Sequence, residues 1–198
     1  MYRVMMQCLF VVACVSLLGG CTGTNMVVSP DPASVTYVVS KKCGAIGVKE
    51  IAPDRVYPPA GNLVPGFASA LEKSGVSDSV YYPSRPDDKV AVTLESKFDV
   101  AFDPNNGGNL TKSFFTGFSL FILEPVFWFN YDYTLTGTVD VMVGKNRMAT
   151  LQANSSGEMS MKFLSLSEVQ SLEGKTLAMA KDALYRQLLR DLSSYCNR

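Results

Sequence analysis

The residues that could do chemistry are few. Among 198 residues there are five cysteines and no histidine. Losing histidine removes the commonest general base, the commonest metal ligand and the usual physiological pH switch. The five cysteines are Cys8, Cys14, Cys21, Cys43 and Cys196, and no two of them have the spacing of a Cys-x-x-Cys redox pair. Metal-ligand spacing is absent as well. Asp87-Asp88 and the pair Asp99 and Asp103 are acidic, but glycosidase carboxylates need a shaped sugar cleft and nothing else suggests one, so they read as solvated loop charges. Ser84-Arg85 and Ser155-Ser156 have no candidate base, and a Ser-Lys hydrolase would need a pair that nothing singles out. No phosphate-binding glycine motif is present. No cofactor is expected. The chemistry worth following belongs to the cysteines.

Cys21 follows a stretch with the form of an export signal. Arg3 and the amino terminus give a weakly positive start, and Val4 to Leu18 is apolar except for Gln7 and Ser16. About fifteen apolar residues suit a signal sequence, whereas a membrane span needs roughly 20. The run ends in Leu18-Gly19-Gly20-Cys21, which resembles the lipobox of bacterial prolipoproteins. That resemblance implies a diacylglyceryl group on the Cys21 thiol, cleavage just before Cys21, and acylation of the new amino terminus. Thr22 stands where an aspartate favours inner-membrane retention in enterobacterial lipoproteins, so the analogy favours the outer membrane, on its periplasmic face. Two or three acyl chains hold far more firmly than one, which binds only marginally. The alternative is cleavage by the ordinary signal peptidase, leaving Cys21 as a free thiol.

This divides the chain into 1–20, a signal that is removed; 21–34, a lipidated amino terminus and flexible tether; and 35–198, a periplasmic domain. Cys8 and Cys14 leave with the signal. Cys43 and Cys196 remain, and in an oxidising compartment they are expected to form a disulfide. Two separate buried thiols, or a redox site, are the other readings.

The elements that must position these residues read as α+β. Thr36 to Ile51 reads as a first strand, broken near Gly44, and a proline-rich loop follows over 53–65. Phe67 and Leu71, four apart, fit a short helix over Gly66 to Ser74 that Gly75 stops. Val80 to Tyr82 is a short strand, and Lys89 to Phe102 alternates with the period of a half-buried strand. Tyr131 to Val143 alternates most cleanly, with Tyr131, Tyr133, Leu135, Val139, Val141 and Val143 on one face and Asp132, Thr134, Thr136, Thr138 and Asp140 on the other. A turn at 144–147 leads into a strand over 148–163, so the two form a hairpin. Ser167 to Tyr195 is a long helix in which Leu177, Ala180, Leu184, Leu188 and Leu192 share a stripe. The expected architecture is a single-layer, mainly antiparallel sheet covered on one face by the short helix and the long C-terminal helix.

Residues 113–129 (SFFTGFSLFILEPVFWF) hold six of the eleven phenylalanines and the only tryptophan. They are too short for a span, and Glu124-Pro125 interrupts them. One reading is a core strand or buried loop leading to Tyr131. The sharper reading is an exposed apolar loop, with Phe114, Phe115, Phe118, Phe121, Phe127 and Trp128 touching membrane or a partner protein.

Eighteen basic residues balance eighteen acidic ones, so nothing points to nucleic acid. In layout alone the domain is similar to small periplasmic lipoproteins that assist envelope assembly, transport or cell-wall synthesis. That resemblance carries over no site residues. The leading expectation is a non-catalytic accessory held to the membrane by lipid and to an envelope protein by contact. A carrier or sensor of a small apolar ligand or lipid is second, and an envelope hydrolase third. Radiolabelled palmitate should enter the protein and fail to enter a Cys21→Ala variant; incorporation into that variant would refute the anchor.

Overall fold

In a computed structural model of the chain, the residues described are 23–104, 107–119, 126–162 and 168–198. Cys21, with the lipobox around it, and Phe121 lie outside them. The strands are β1 (Thr24–Ser29), β2 (Ala45–Glu50), β3 (Ser79–Tyr81), β4 (Val92–Asp103), β5 (Phe129–Val143) and β6 (Asn146–Met161). The helices are α1 (Leu63–Ser74), α2 (Asn109–Phe118) and α3 (Val169–Cys196). The strands make one mostly antiparallel sheet in the order β1-β6-β5-β4-β2-β3. This is the α+β layout expected from the sequence.

Two compact units can be distinguished. One comprises 28–102, 133–157 and 174–198. The other comprises the described residues among 23–27, 103–132 and 158–173.

In the first unit the core forms because one face of each strand is apolar. Burial alternates along β4 and β5, with Leu94, Phe98, Val100, Tyr133, Leu135, Val139 and Val141 inside. Phe98 joins both covering helices to the sheet: its ring centroid lies 5.6 Å from that of Phe67 on α1 and 6.0 Å from that of Tyr185 on α3. The helices can come this close because glycines face them. A Cβ on Gly137 would lie 2.9 Å from Cε1 of Phe98, and one on Gly157 would lie 2.7 Å from Cγ2 of Thr176. On α1, a Cβ on Gly66 would lie 2.7 Å from the Tyr185 hydroxyl. That hydroxyl donates to the Leu63 carbonyl at 2.7 Å, and burial pushes the phenol well above the ordinary tyrosine range. The Ser155 hydroxyl likewise donates to the Ala180 carbonyl of α3 at 2.7 Å.

Cys43 and Cys196 form the expected disulfide, closing a loop of sequence separation 153 between the approach to β2 and the end of α3.

Three local expectations are corrected. The segment 24–29, read as part of a tether, is the edge strand β1, and a 3-10 turn follows at Pro32–Ser34. Its side chains are mostly exposed, so backbone pairing, which leaves no hydropathy pattern, makes the strand. The first strand proves shorter, Ala45–Glu50 in place of Thr36 to Ile51, and runs parallel to both β3 and β4. Helix α1 lies between β2 and β3 and supplies the crossover that a parallel pair requires. That helix also begins three residues early, at Leu63, because the Asn62 side chain caps it by accepting from the Val64 amide at 2.9 Å.

The two kinds of glycine should respond oppositely to alanine. Gly137→Ala should lower the unfolding free energy by about 1–3 kcal/mol through overpacking. Gly117→Ala, on an open stretch of α2 with nothing within 4 Å, should raise it by about 0.5–1 kcal/mol. Urea titrations of both variants check the contrast.

Candidate aromatic contact face

Helix α2 is amphipathic with its polarity reversed. Asn109 and Thr116 are buried and Lys112 is half-buried, at positions i, i+7 and i+3. The face pointing away from the protein holds Phe114, Phe115 and Phe118, of which Phe114 is 68% and Phe118 80% exposed. Phe114 and Phe118 stack at 6.2 Å between ring centroids, and Phe114 meets Phe115 edge-on at 5.8 Å. An ordinary surface helix turns its apolar stripe inward.

Polar groups at the helix start set this orientation. The Asn109 amide nitrogen donates to the Pro104 carbonyl at 2.9 Å and also to the Asn130 carbonyl. Its amide oxygen accepts from the Asn130 backbone N–H at 2.9 Å. Asn109 thus uses both ends of its amide to tie α2 to the start of β5. The Lys112 ammonium donates to the Trp128 carbonyl at 2.7 Å. With those two side chains held inward, the helical period places the phenylalanines outside.

Trp128 lies beside α2, its carbonyl bonded by Lys112. It is 40% exposed, and the Lys162 ammonium sits 5.2 Å from its ring centroid. A cation over an indole at a partly exposed site contributes about 0.5–1 kcal/mol. The Gly23 carbonyl accepts from the Lys162 N–H at 2.9 Å, and a Cβ on Gly23 would lie 3.0 Å from Cη2 of the indole. Val126 is also exposed, and Phe127 is half-buried. The first described residue, the tryptophan and α2 therefore belong to one local assembly.

Of the predicted contact residues, Phe114, Phe115 and Phe118 come together on this face, Trp128 is exposed next to α2 with its carbonyl bonded by Lys112, Phe127 is half-buried, and Phe121 lies outside the described residues. Residues 109–118 are neither a core strand nor a loop: they form a helix. Asn109 and Lys112, which hold that helix in place, were not singled out from the sequence. Their spacing opposite Phe114 and Phe118 is a helical signal, hidden by the density of phenylalanine after it.

Two of the acidic candidates accept from nearby backbone. The Asp99 carboxylate accepts from the Arg55 amide at 3.1 Å, and the Asp88 carboxylate accepts from the Arg85 amide at 2.6 Å. Among the described residues no cluster of three or more potential metal ligands occurs, and no helix is long and apolar enough to cross a membrane. A cleft of about 250 Å³ lined by Ile51, Val56, Leu63, Val64, Phe98 and Val100 opens beside α1. It is smaller than the roughly 300–1,000 Å³ usual for ligand pockets, whereas two more open clefts of about 440 and 420 Å³ fall within that range.

No protein-family model matches the chain, and no curated protein matches it. Among solved structures, a minor lipoprotein from Acinetobacter baumannii is similar at 13% identity and a TM-score of 0.44, over 81% of this chain and 95% of that one. A PelC variant dodecamer from Paraburkholderia phytofirmans is similar at 14% identity and a TM-score of 0.37, over 85% of this chain and 99% of that one. Likeness at this level assigns this chain neither a family nor a function.

The position of the phenylalanines separates core from contact. Phe118→Asp should change the unfolding free energy by no more than about 0.5 kcal/mol, the range for surface substitutions. Phe67→Ala, at a site 1% exposed, should cost about 3–5 kcal/mol. A large loss in the Phe118 variant would return α2 to the core.

Proposed function

We propose that the chain is a lipid-anchored protein of the bacterial envelope, at the periplasmic face of the outer membrane, that works by contact and not by catalysis. It serves as an accessory or adaptor in an assembly or transport complex. The observation that carries this reading is the inverted helix α2. A folded chain that leaves three phenylalanines of one short helix 47–80% exposed forgoes a large part of the roughly 1.5–3 kcal/mol that full burial of each would contribute. Contiguous exposed apolar surface of this kind marks contact sites.

Three further features support the reading. Leu18-Gly19-Gly20-Cys21 has the form of a lipidation site. The absence of histidine removes the most usual proton-transfer group. Asp88, Asp99 and the buried Ser155, which could have suggested catalysis, are engaged by backbone groups. The sheet also offers a partner a polar surface: in the first unit Thr134, Gln152, Asn154 and Ser156 are exposed on strands whose alternate residues are buried.

Covalent crosslinking in intact cells followed by purification of the tagged chain tests the role. An adaptor should recover one envelope protein in stoichiometric amount. Recovery of the chain alone, with a lipid bound in native mass spectrometry, would replace the adaptor by a carrier.

A further inference from the structure

We infer that the outward face of α2 and Trp128 rest in the headgroup region of the bilayer that holds the lipid on Cys21, so that the anchor and the aromatic face act as one two-part membrane contact. This rests on the proposal that Cys21 is lipidated. It goes further in assigning the aromatic face to lipid and not to protein.

Where the described chain ends points to this occupant. Gly23 is fixed against Trp128 by the hydrogen bond from Lys162 and by the closeness of its Cα to the indole. Cys21 is only two residues earlier, and two residues span at most about 7 Å. The Cys21 backbone, whatever path it takes, therefore stays within that distance of Gly23. Acyl chains attached there enter a bilayer whose surface cannot be far from the indole.

The composition of the face suits that setting. An interfacial helix puts phenylalanine or tryptophan on one side and polar groups on the other, and sinks its apolar side to the boundary between headgroups and acyl chains. In α2 the apolar side holds Phe114, Phe115 and Phe118, and its sequence, NLTKSFFTGF, contains no carboxylate to repel anionic lipid. Tryptophan is enriched at the membrane–water boundary, where its ring is apolar and its N–H meets the wet layer. A protein partner would explain the phenylalanines equally well. It would not explain why the chain leading to the anchor is held against Trp128, beside the same helix.

Trp128 is the only tryptophan, so the protein carries its own reporter at the site. The full lipidated chain, purified in detergent, is reconstituted into vesicles of phosphatidylethanolamine and phosphatidylglycerol. A parallel set contains acyl chains brominated near the headgroup. Trp128 should lose most of its emission in the brominated vesicles, shift to shorter wavelength and become less accessible to aqueous acrylamide. A Phe114→Ser, Phe118→Ser double variant should still float with the vesicles through its lipid, keep its circular dichroism, and lose most of the bromolipid quenching. A chain that fails to float overturns the anchor, and this contact with it. A chain that floats but whose Trp128 ignores the brominated lipid overturns the bilayer contact alone. If Trp128 ignores that lipid yet is shielded from acrylamide, a protein covers the face, either a second copy or a partner, and the bilayer contact is likewise overturned.

Discussion

The close approach of the C-terminal helix to the sheet is the constraint on which the larger unit depends. Helix α3 buries Leu177, Ala180, Ala183, Leu184, Leu188 and Leu192, and it can do so only because the strands beneath it carry no side chain at Gly137 and Gly157. Phe98 fills the space so arranged and at the same time meets Phe67 of α1, so the two helices and the sheet share one aromatic centre. Tyr185 adds a directional bond by donating to Leu63 at the start of α1. The disulfide then ties the end of α3 to the approach to β2. Since the loop it closes is so long, its chief effect in the chain-entropy picture is on the unfolded chain.

The smaller unit is built on the opposite principle. Its helix is held by polar groups, and its apolar side is left outside. Asn109 can hold α2 because a buried amide with all its groups bonded is directional in a way that apolar packing is not. Losing a partner would leave a buried polar atom unsatisfied, which costs about 1–3 kcal/mol. That directionality lets the fold keep three phenylalanines outside the core without the helix rolling over to bury them. The same local assembly fixes Gly23, so the place where the chain departs toward Cys21 and the place where the aromatics are displayed share one set of bonds.

Much of the frame was legible before any coordinates. The two long strands of the terminal hairpin alternate with period two, and the last helix repeats leucine at three and four. These patterns arise because each element buries one face only, and the burial along β5 and α3 follows them. The pairing of Cys43 with Cys196 followed from counting the thiols left in an oxidising compartment. Edge strand β1 was not legible: its backbone pairs while its side chains stay mostly exposed, and hydropathy does not record a backbone hydrogen bond. The parallel course of β2 was not legible either, since strand direction depends on where the crossover helix delivers the chain.

By itself, the sequence determined the class of the fold, the hairpin and long helix that frame it, and the cysteine pair, and it carries a resemblance to the lipobox. All are written in local spacing or in composition, which need no knowledge of distant neighbours. Only the tertiary structure decided the direction of the phenylalanines between 113 and 119. Water-avoiding side chains have the same composition whether they fill a core or face a membrane. What separates the two cases is the position of polar partners far along the chain, here Asn130 and the carbonyl of Trp128, and those positions exist only once the chain has folded.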